Sequence, residues 1–85
     1  MHKYTVRIAD SVVKKLSKLP TDVENKIVIS IESLIHNPRP HGCKKLKARD
    51  GYRVRVGDYR IIYQIIDNIL TVLVLDIGHR KDIYQ

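Results

Sequence analysis

At 85 residues and 9.9 kDa the chain has room for one small domain, which excludes a two-domain enzyme. Hydrophobic residues make up 44% and charged ones 29%, an ordinary globular balance that argues against wholesale disorder. Sixteen Lys and Arg against nine Asp and Glu leave a formal charge of +7, which favours a polyanionic partner: nucleic acid, a membrane surface or an acidic protein.

The opening MHKYTVRIADS lacks a continuous apolar run of the signal-peptide kind, and no stretch of the chain approaches about 18 apolar residues, so neither export nor a membrane is expected. From Lys3 to Ile8 the residues alternate, Tyr4, Val6 and Ile8 against Lys3, Thr5 and Arg7, which predicts a half-buried strand. Asp10 then offers a cap for a helix in which Val12, Val13, Leu16 and Leu19 recur at helical spacing opposite Lys14, Lys15 and Lys18, ending at Pro20. Thr21-Asp22-Val23-Glu24 has the capping-box pattern and predicts a second helix. Its buried stripe is Val23, Ile27, Ile31, Leu34 and Ile35, and Asn37-Pro38 stops it.

Residues 38–51, PRPHGCKKLKARDG, hold two prolines, two glycines and five basic side chains without periodicity and read as a basic loop. Cys43, the only cysteine, lies there; an intrachain disulfide and a cysteine-built metal site are excluded, and a reducing, cytoplasmic setting fits. From Tyr52 to Ile77 the runs YRVRV, YRIIYQII and ILTVLVLDI, separated by Gly57-Asp58 and Asp67-Asn68, predict an antiparallel meander. The expected fold is therefore a single α+β domain over residues 1–85. Its order is β-α-α-β-β-β, with a helical hairpin packed on one face of a small, mainly antiparallel sheet.

Two-residue turns at both positions set Val56 against Tyr59 and Ile66 against Ile69. One face then collects Val54, Val56, Tyr59, Ile61, Tyr63, Ile65, Leu70, Val72 and Val74, the predicted core. The other carries Arg53, Arg55, Arg60, Ile62, Gln64, Leu73, Leu75 and Ile77, with Arg55 directly across from Arg60. Opposed like charges lie about 5 Å apart at Cβ and cost a few tenths of a kcal/mol up to about one. A phosphodiester on this face turns that repulsion into attraction, because the guanidinium fork matches phosphate geometry. From Arg39 to Arg60 eight basic residues face only Asp50 and Asp58, so most of the excess charge, including Lys44, Lys45 and Lys47, flanks the arginines and suits the counterion release of nucleic-acid binding.

The tail Gly78-His79-Arg80-Lys81-Asp82-Ile83-Tyr84-Gln85 adds an imidazole that titrates near neutrality, a permanent cation able to stabilise a phosphorane, and a phenol able to stack on a base or pass a proton. The other histidines show no metal-ligand spacing, and neither a Gly-rich phosphate loop nor a Ser-His-Asp order is present. No metal or other cofactor is expected. Metal-free cleavage of RNA is the enzymatic option left, since RNA carries its own nucleophile in the 2′-hydroxyl.

The strand, the two-helix hairpin ending in NPRP, the basic loop, YRVRVGDYRIIYQI from Tyr52 and LDIGHRKDIY ending at Tyr84 together resemble the RelE toxin family of the RelE/ParE superfamily over nearly the whole chain. The resemblance implies a RelE-like domain and a cytoplasmic, ribosome-dependent mRNA interferase that cuts the A-site codon and inhibits translation. It also implies silencing by a cognate antitoxin in a hetero-oligomeric toxin–antitoxin complex. Family active-site positions fall on Arg53, Arg55, Arg60, Arg80 and Tyr84, with His79 where an imidazole or basic group can assist. Some members carry lysine at the positions of Arg53 and Arg55, and arginine cannot serve as a base. Proton transfer is therefore assigned to His79 or Tyr84, phosphate binding to Arg53, Arg55, Lys44, Lys45 and Lys47, and transition-state stabilisation to Arg60 and Arg80. Two alternatives remain: a ParE-like inhibitor of DNA gyrase, and a non-catalytic RNA-binding module.

Overall fold

The computed structural model describes residues 3–79. Five strands and two helices follow in the order β1 (Thr5–Ile8), α1 (Asp10–Ser17), α2 (Thr21–Ser33), β2 (Lys44–Lys45), β3 (Tyr52–Val56), β4 (Tyr59–Ile66) and β5 (Thr71–His79). They form one sheet in the order β1-β5-β4-β3-β2, antiparallel except for the β1–β5 pair. The α+β class and the helical hairpin over one sheet face are as expected. β2 is an addition: two residues of the basic loop, Lys44 and Lys45, pair with Arg53 and Tyr52.

Both helices start one residue away from the expected caps. α1 begins at Asp10 after Ala9, and α2 begins at Thr21 after Pro20, with no side-chain cap at either N-terminus. Pro20 holds φ at −55° and its carbonyl accepts the Glu24 N–H at 2.9 Å, so the backbone closes the first turn and the Thr21–Glu24 capping box does not form. The core-facing residues are Val12 and Leu16 of α1 and Ile27, Ile31 and, just past its end, Leu34 of α2. Val13, expected in the stripe, is 52% exposed, because burying residues 12 and 16 turns residue 13 outward.

These residues pack on Val54, Ile61, Tyr63, Val72, Val74 and Ile77. The β3–β4 turn is as expected, with Val56 against Tyr59 and Arg55 against Arg60; Gly57 takes φ +59° at its first central position. The β4–β5 connection is not a two-residue turn. Asp67–Ile69 form a short 3-10 turn and Leu70 adopts a left-handed φ of +47°, so Ile66 pairs with Thr71 rather than Ile69. A second departure lies between Ile62 and Tyr63, where a bulge pairs Tyr63 with Val74 but Ile62 with Asp76. The turn moves the partner by two residues and leaves the faces unchanged; the bulge moves it by one more and reverses them. Ile77 therefore enters the core at 1% exposure instead of joining the arginine face. Leu70 leaves the core face for the turn; of the other apolar residues expected beside the arginines, Ile62 is 6% exposed and Leu73 and Leu75 are half-buried.

Past the end of β1, α1 guards the edge of β5: Lys15 Nζ donates to Asp76 Oδ1 at 2.6 Å and to the Ile77 carbonyl at 3.3 Å. Gly51 is buried at φ +140°, where an added Cβ would stand 3.0 Å from the Tyr63 carbonyl oxygen and 3.3 Å from Leu46 Cδ1. Gly51→Ala is expected to destabilise the fold by about 1–3 kcal/mol in urea unfolding, through backbone strain and this contact.

The buried Tyr63 hydroxyl donates to the Pro38 carbonyl at 2.8 Å, and burial, with a smaller contribution from Cys43, raises the phenol's pKa. A raised phenol pKa stabilises the fold fully below pH about 10, the unfolded-state value, and this contribution is lost as pH climbs toward the higher folded value. Tyr63→Phe is expected to cost about 1–3 kcal/mol at neutral pH by orphaning a buried carbonyl. It should also flatten the fall of the melting temperature above pH about 10.

Candidate polyanion-binding site

The alternation of β3 and β4 sends Val54, Ile61 and Tyr63 toward the helices and Arg53, Arg55, Arg60 and Ile62 to the other face. Lys44 joins them from β2 as the cross-strand partner of Arg53. Gly42, Lys44, Arg53, Arg55 and Arg60 line one cavity of about 310 Å³. Among the described residues of its lining four are cationic and none is acidic, so they concentrate positive potential there. Arg60 is only 5% exposed, whereas Arg55 opposite it is open to solvent. The guanidinium forks of Arg55 and Arg60 suit an anion seated between them, through charge-assisted hydrogen bonds.

The bulge takes His79 elsewhere. Gly78 stands across from Arg60, and His79 across from Tyr59. The imidazole lies edge-on to the Tyr59 ring, with centroids 5.5 Å apart, in a separate cavity of about 250 Å³ shared with Lys15, Lys18, Leu19, Ile77 and Gly78. Tyr59 packs against the helix-side core, so His79 and the arginine cavity occupy opposite sides of the sheet. Of the lysines named above, only Lys44 lines the arginine cavity. Lys45 pairs with Tyr52 on the alternate position of β2, and Lys47 is exposed in the loop that follows. Arg80 and Tyr84 lie outside the described residues.

Gly42 is the cavity residue that sequence reasoning missed. The Cys43 N–H bonds the Pro40 carbonyl at 3.0 Å and Gly42 has φ +90°, the pattern of a type II turn with glycine at its third position. The Pro-His-Gly order was the available signal. A second missed group is Arg39, whose guanidinium grips Asp67 with two bonds of 2.9 and 3.3 Å and lies 5.5 Å over the Tyr52 ring. Asp67 also accepts from Tyr4 at 2.6 Å. Arg39 first and Tyr4 second hold the Asp67 carboxyl below the usual carboxylate range. Among the described residues no three His, Cys, Asp or Glu side chains are grouped to hold a metal ion, and no helix is long and apolar enough to cross a membrane.

The fold is a two-helix, five-stranded α+β domain with a cationic hollow on the sheet face opposite the helices. The family model for the ParE toxin of type II toxin–antitoxin systems matches residues 6–84, and the chain belongs to this family, within the RelE/ParE superfamily of toxins. It is 33% identical to the toxin RelG of Mycobacterium tuberculosis, across 96% of this chain and 97% of the relative. With the mRNA interferase toxin RelE of Escherichia coli K12 it shares 25% identity across 92% and 84%. Its fold is similar to that of a chain in the crystal structure of the toxin–antitoxin complex RelBE2 of Mycobacterium tuberculosis. There the TM-score is 0.83, at 32% identity over 96% of this chain and 97% of that one.

The opposed arginines yield a direct prediction. Arg55→Gln is expected to stabilise the fold by a few tenths of a kcal/mol up to about 1, read as a higher urea midpoint at unchanged slope. The same change should weaken binding to a polyanion such as heparin and lower the salt dependence of that binding by about one counterion.

Proposed function

We propose that the protein is a ribosome-dependent mRNA interferase whose cleavage of A-site codons inhibits translation and which a cognate antitoxin neutralises. The observation that carries this reading is the convergence of Lys44, Arg53, Arg55 and Arg60 on one cavity. A relative named as an mRNA interferase and a fold match to a chain from a toxin–antitoxin complex support it. Lys44, Arg53 and Arg55 grip the scissile phosphate, and Lys45 and Lys47 attract flanking phosphates. Arg60, held at 5% exposure, meets the charge that develops on the phosphorane in a poorly solvated place, where electrostatic stabilisation is strongest. By family position, Arg80 adds to that stabilisation and Tyr84 stacks on a base or passes a proton.

The 2′-hydroxyl attacks the adjacent phosphorus in line and the P–O5′ bond breaks, giving a 2′,3′-cyclic phosphate and a 5′-hydroxyl end. This transesterification consumes no water and draws on proton transfer, alignment and charge stabilisation. The ribosome supplies the alignment, so free RNA is cut poorly.

Codon-resolved mapping of new 5′ ends on programmed ribosomes tests this. The wild-type protein should cut in the A site, and Arg60→Ala and Arg53→Ala, each checked for retained fold by circular dichroism, should lose about 10²-fold or more in rate. Cutting by both variants at the wild-type rate would remove the site assignment. The match to the ParE family keeps a second reading in play: inhibition of gyrase supercoiling with translation left intact would establish it instead. RNA binding without new ends would leave a non-catalytic module.

A further inference from the structure

The cationic cavity depends in part on a weak element. β2 has only two residues, Lys44 and Lys45, and forms the edge of the sheet beside β3. So short a strand carries too few ladder bonds to fix its own position. Lys44 nevertheless lines the cavity with Arg53, Arg55 and Arg60, and so does Gly42 two residues earlier. Behind Lys44 the Leu46 N–H bonds the Gly51 carbonyl at 2.9 Å; ahead of it stands the segment from Pro38 to Cys43.

That segment is fixed at two successive residues. The Pro38 carbonyl accepts the buried Tyr63 hydroxyl at 2.8 Å, which pins one point and leaves the onward direction of the chain open. Arg39 supplies the second point. Its Nη2 and Nη1 donate to the two carboxylate oxygens of Asp67 at 2.9 and 3.3 Å, its Nε donates to the Tyr52 hydroxyl at 3.4 Å, and the guanidinium lies 5.5 Å over the Tyr52 ring. Asp67 is held in turn by the Tyr4 hydroxyl at 2.6 Å, and Tyr52 is the β3 residue that pairs with Lys45. Beyond Arg39 the chain is stiff. Pro40 presets its own φ, and the Pro40–Cys43 turn closes with Gly42 at φ +90°, so a direction given at Arg39 reaches Gly42 and Lys44 through few free torsions.

Resting on the reading above that this cavity grips backbone phosphates, we infer that Asp67 and Arg39 are positioning residues of the site: their clamp sets Lys44 at the cavity, although neither residue lines it. The two side chains are 54% and 45% exposed, and an ion pair that open to solvent adds little to global stability. What it adds is orientation, because two N–H bonds from one guanidinium to one carboxylate fix a plane as well as a distance. An acidic residue thereby favours the binding of a polyanion, against the sign of its own charge.

That reversal of sign is the test. The affinity for a single-stranded oligouridylate is measured across a range of salt for the wild-type protein, Asp67→Ala, Asp67→Glu, Lys44→Ala, the Asp67→Ala/Lys44→Ala double variant and the control Asp22→Ala, an exposed carboxylate of α2. Charge alone predicts that Asp67→Ala, having lost a negative charge, binds RNA more tightly, as Asp22→Ala should. The clamp predicts the reverse for Asp67→Ala: affinity about fivefold weaker and a salt dependence lower by about one counterion, with the melting temperature moved by only a few degrees. Asp67→Glu keeps the carboxylate and should recover most of the loss. In the Lys44→Ala protein, Asp67→Ala should weaken binding no further. Asp67→Ala binding as tightly as Asp22→Ala, or losing as much affinity without Lys44 as with it, would overturn the inference while leaving the phosphate reading intact. Absence of salt-dependent RNA binding by the wild-type protein would overturn both.

Discussion

The direct opposition of Arg55 and Arg60 across a two-residue turn is the constraint from which the rest of the site follows. Once Gly57 accepts a positive φ, the register of β3 and β4 is set, and with it the side on which every arginine emerges. Arg53 then lies two residues from Arg55 on the same face, and β2 adds Lys44 beside it. For a domain with about 5–15 kcal/mol of total stability, a like-charge pair costing up to about 1 kcal/mol is a sizeable concession. The hydrophobic layer of Ile61, Tyr63 and Val54 on the reverse side of the same strands meets that cost, so one pair of strands carries both the core and the cationic hollow.

How much of this was legible in the sequence depends on whether the deciding interaction was local. The Gly57-Asp58 turn was legible because glycine in a two-residue connection is a local requirement, and the positions of Arg53, Arg55 and Arg60 followed from it. The Asp67-Asn68 turn was not. Its shape depends on Leu70 entering a left-handed conformation that costs a non-glycine residue about 1 kcal/mol or more. The ties that hold it come from elsewhere: the Thr5 N–H to the Leu70 carbonyl at 2.7 Å, and Tyr4 and Arg39 to Asp67. No local pattern announces contacts more than sixty residues apart in sequence, as Tyr4 and Asp67 are.

The basic loop repeats the lesson. Without periodicity it read as irregular, yet Tyr63 to Pro38, Arg39 to Asp67 and Leu46 to Gly51 make it an ordered border of the cavity. Composition marked its charge correctly and was silent on its position, because charge is a property of residues and position is a property of distant bonds. The capping box failed for the opposite reason. Thr21 and Glu24 have the right spacing, but Pro20 already presets the chain, so the helix starts one residue early and the threonine becomes part of its first turn.

The bulge between Ile62 and Tyr63 is the other decisive feature, and it acts on chemistry rather than on stability alone. Without it, residues 77 and 79 would share the arginine face. With it, Ile77 fills the core and His79 meets Tyr59, while Gly78 takes the place across from Arg60. A glycine there has no side chain to compete for the space beside a nearly buried guanidinium. One extra residue in one strand thus sets Gly78 across from Arg60 and turns Ile77 into the core. Because hairpin and bulge set parity independently, the hairpin decides which cations meet, and the bulge decides what meets them from β5.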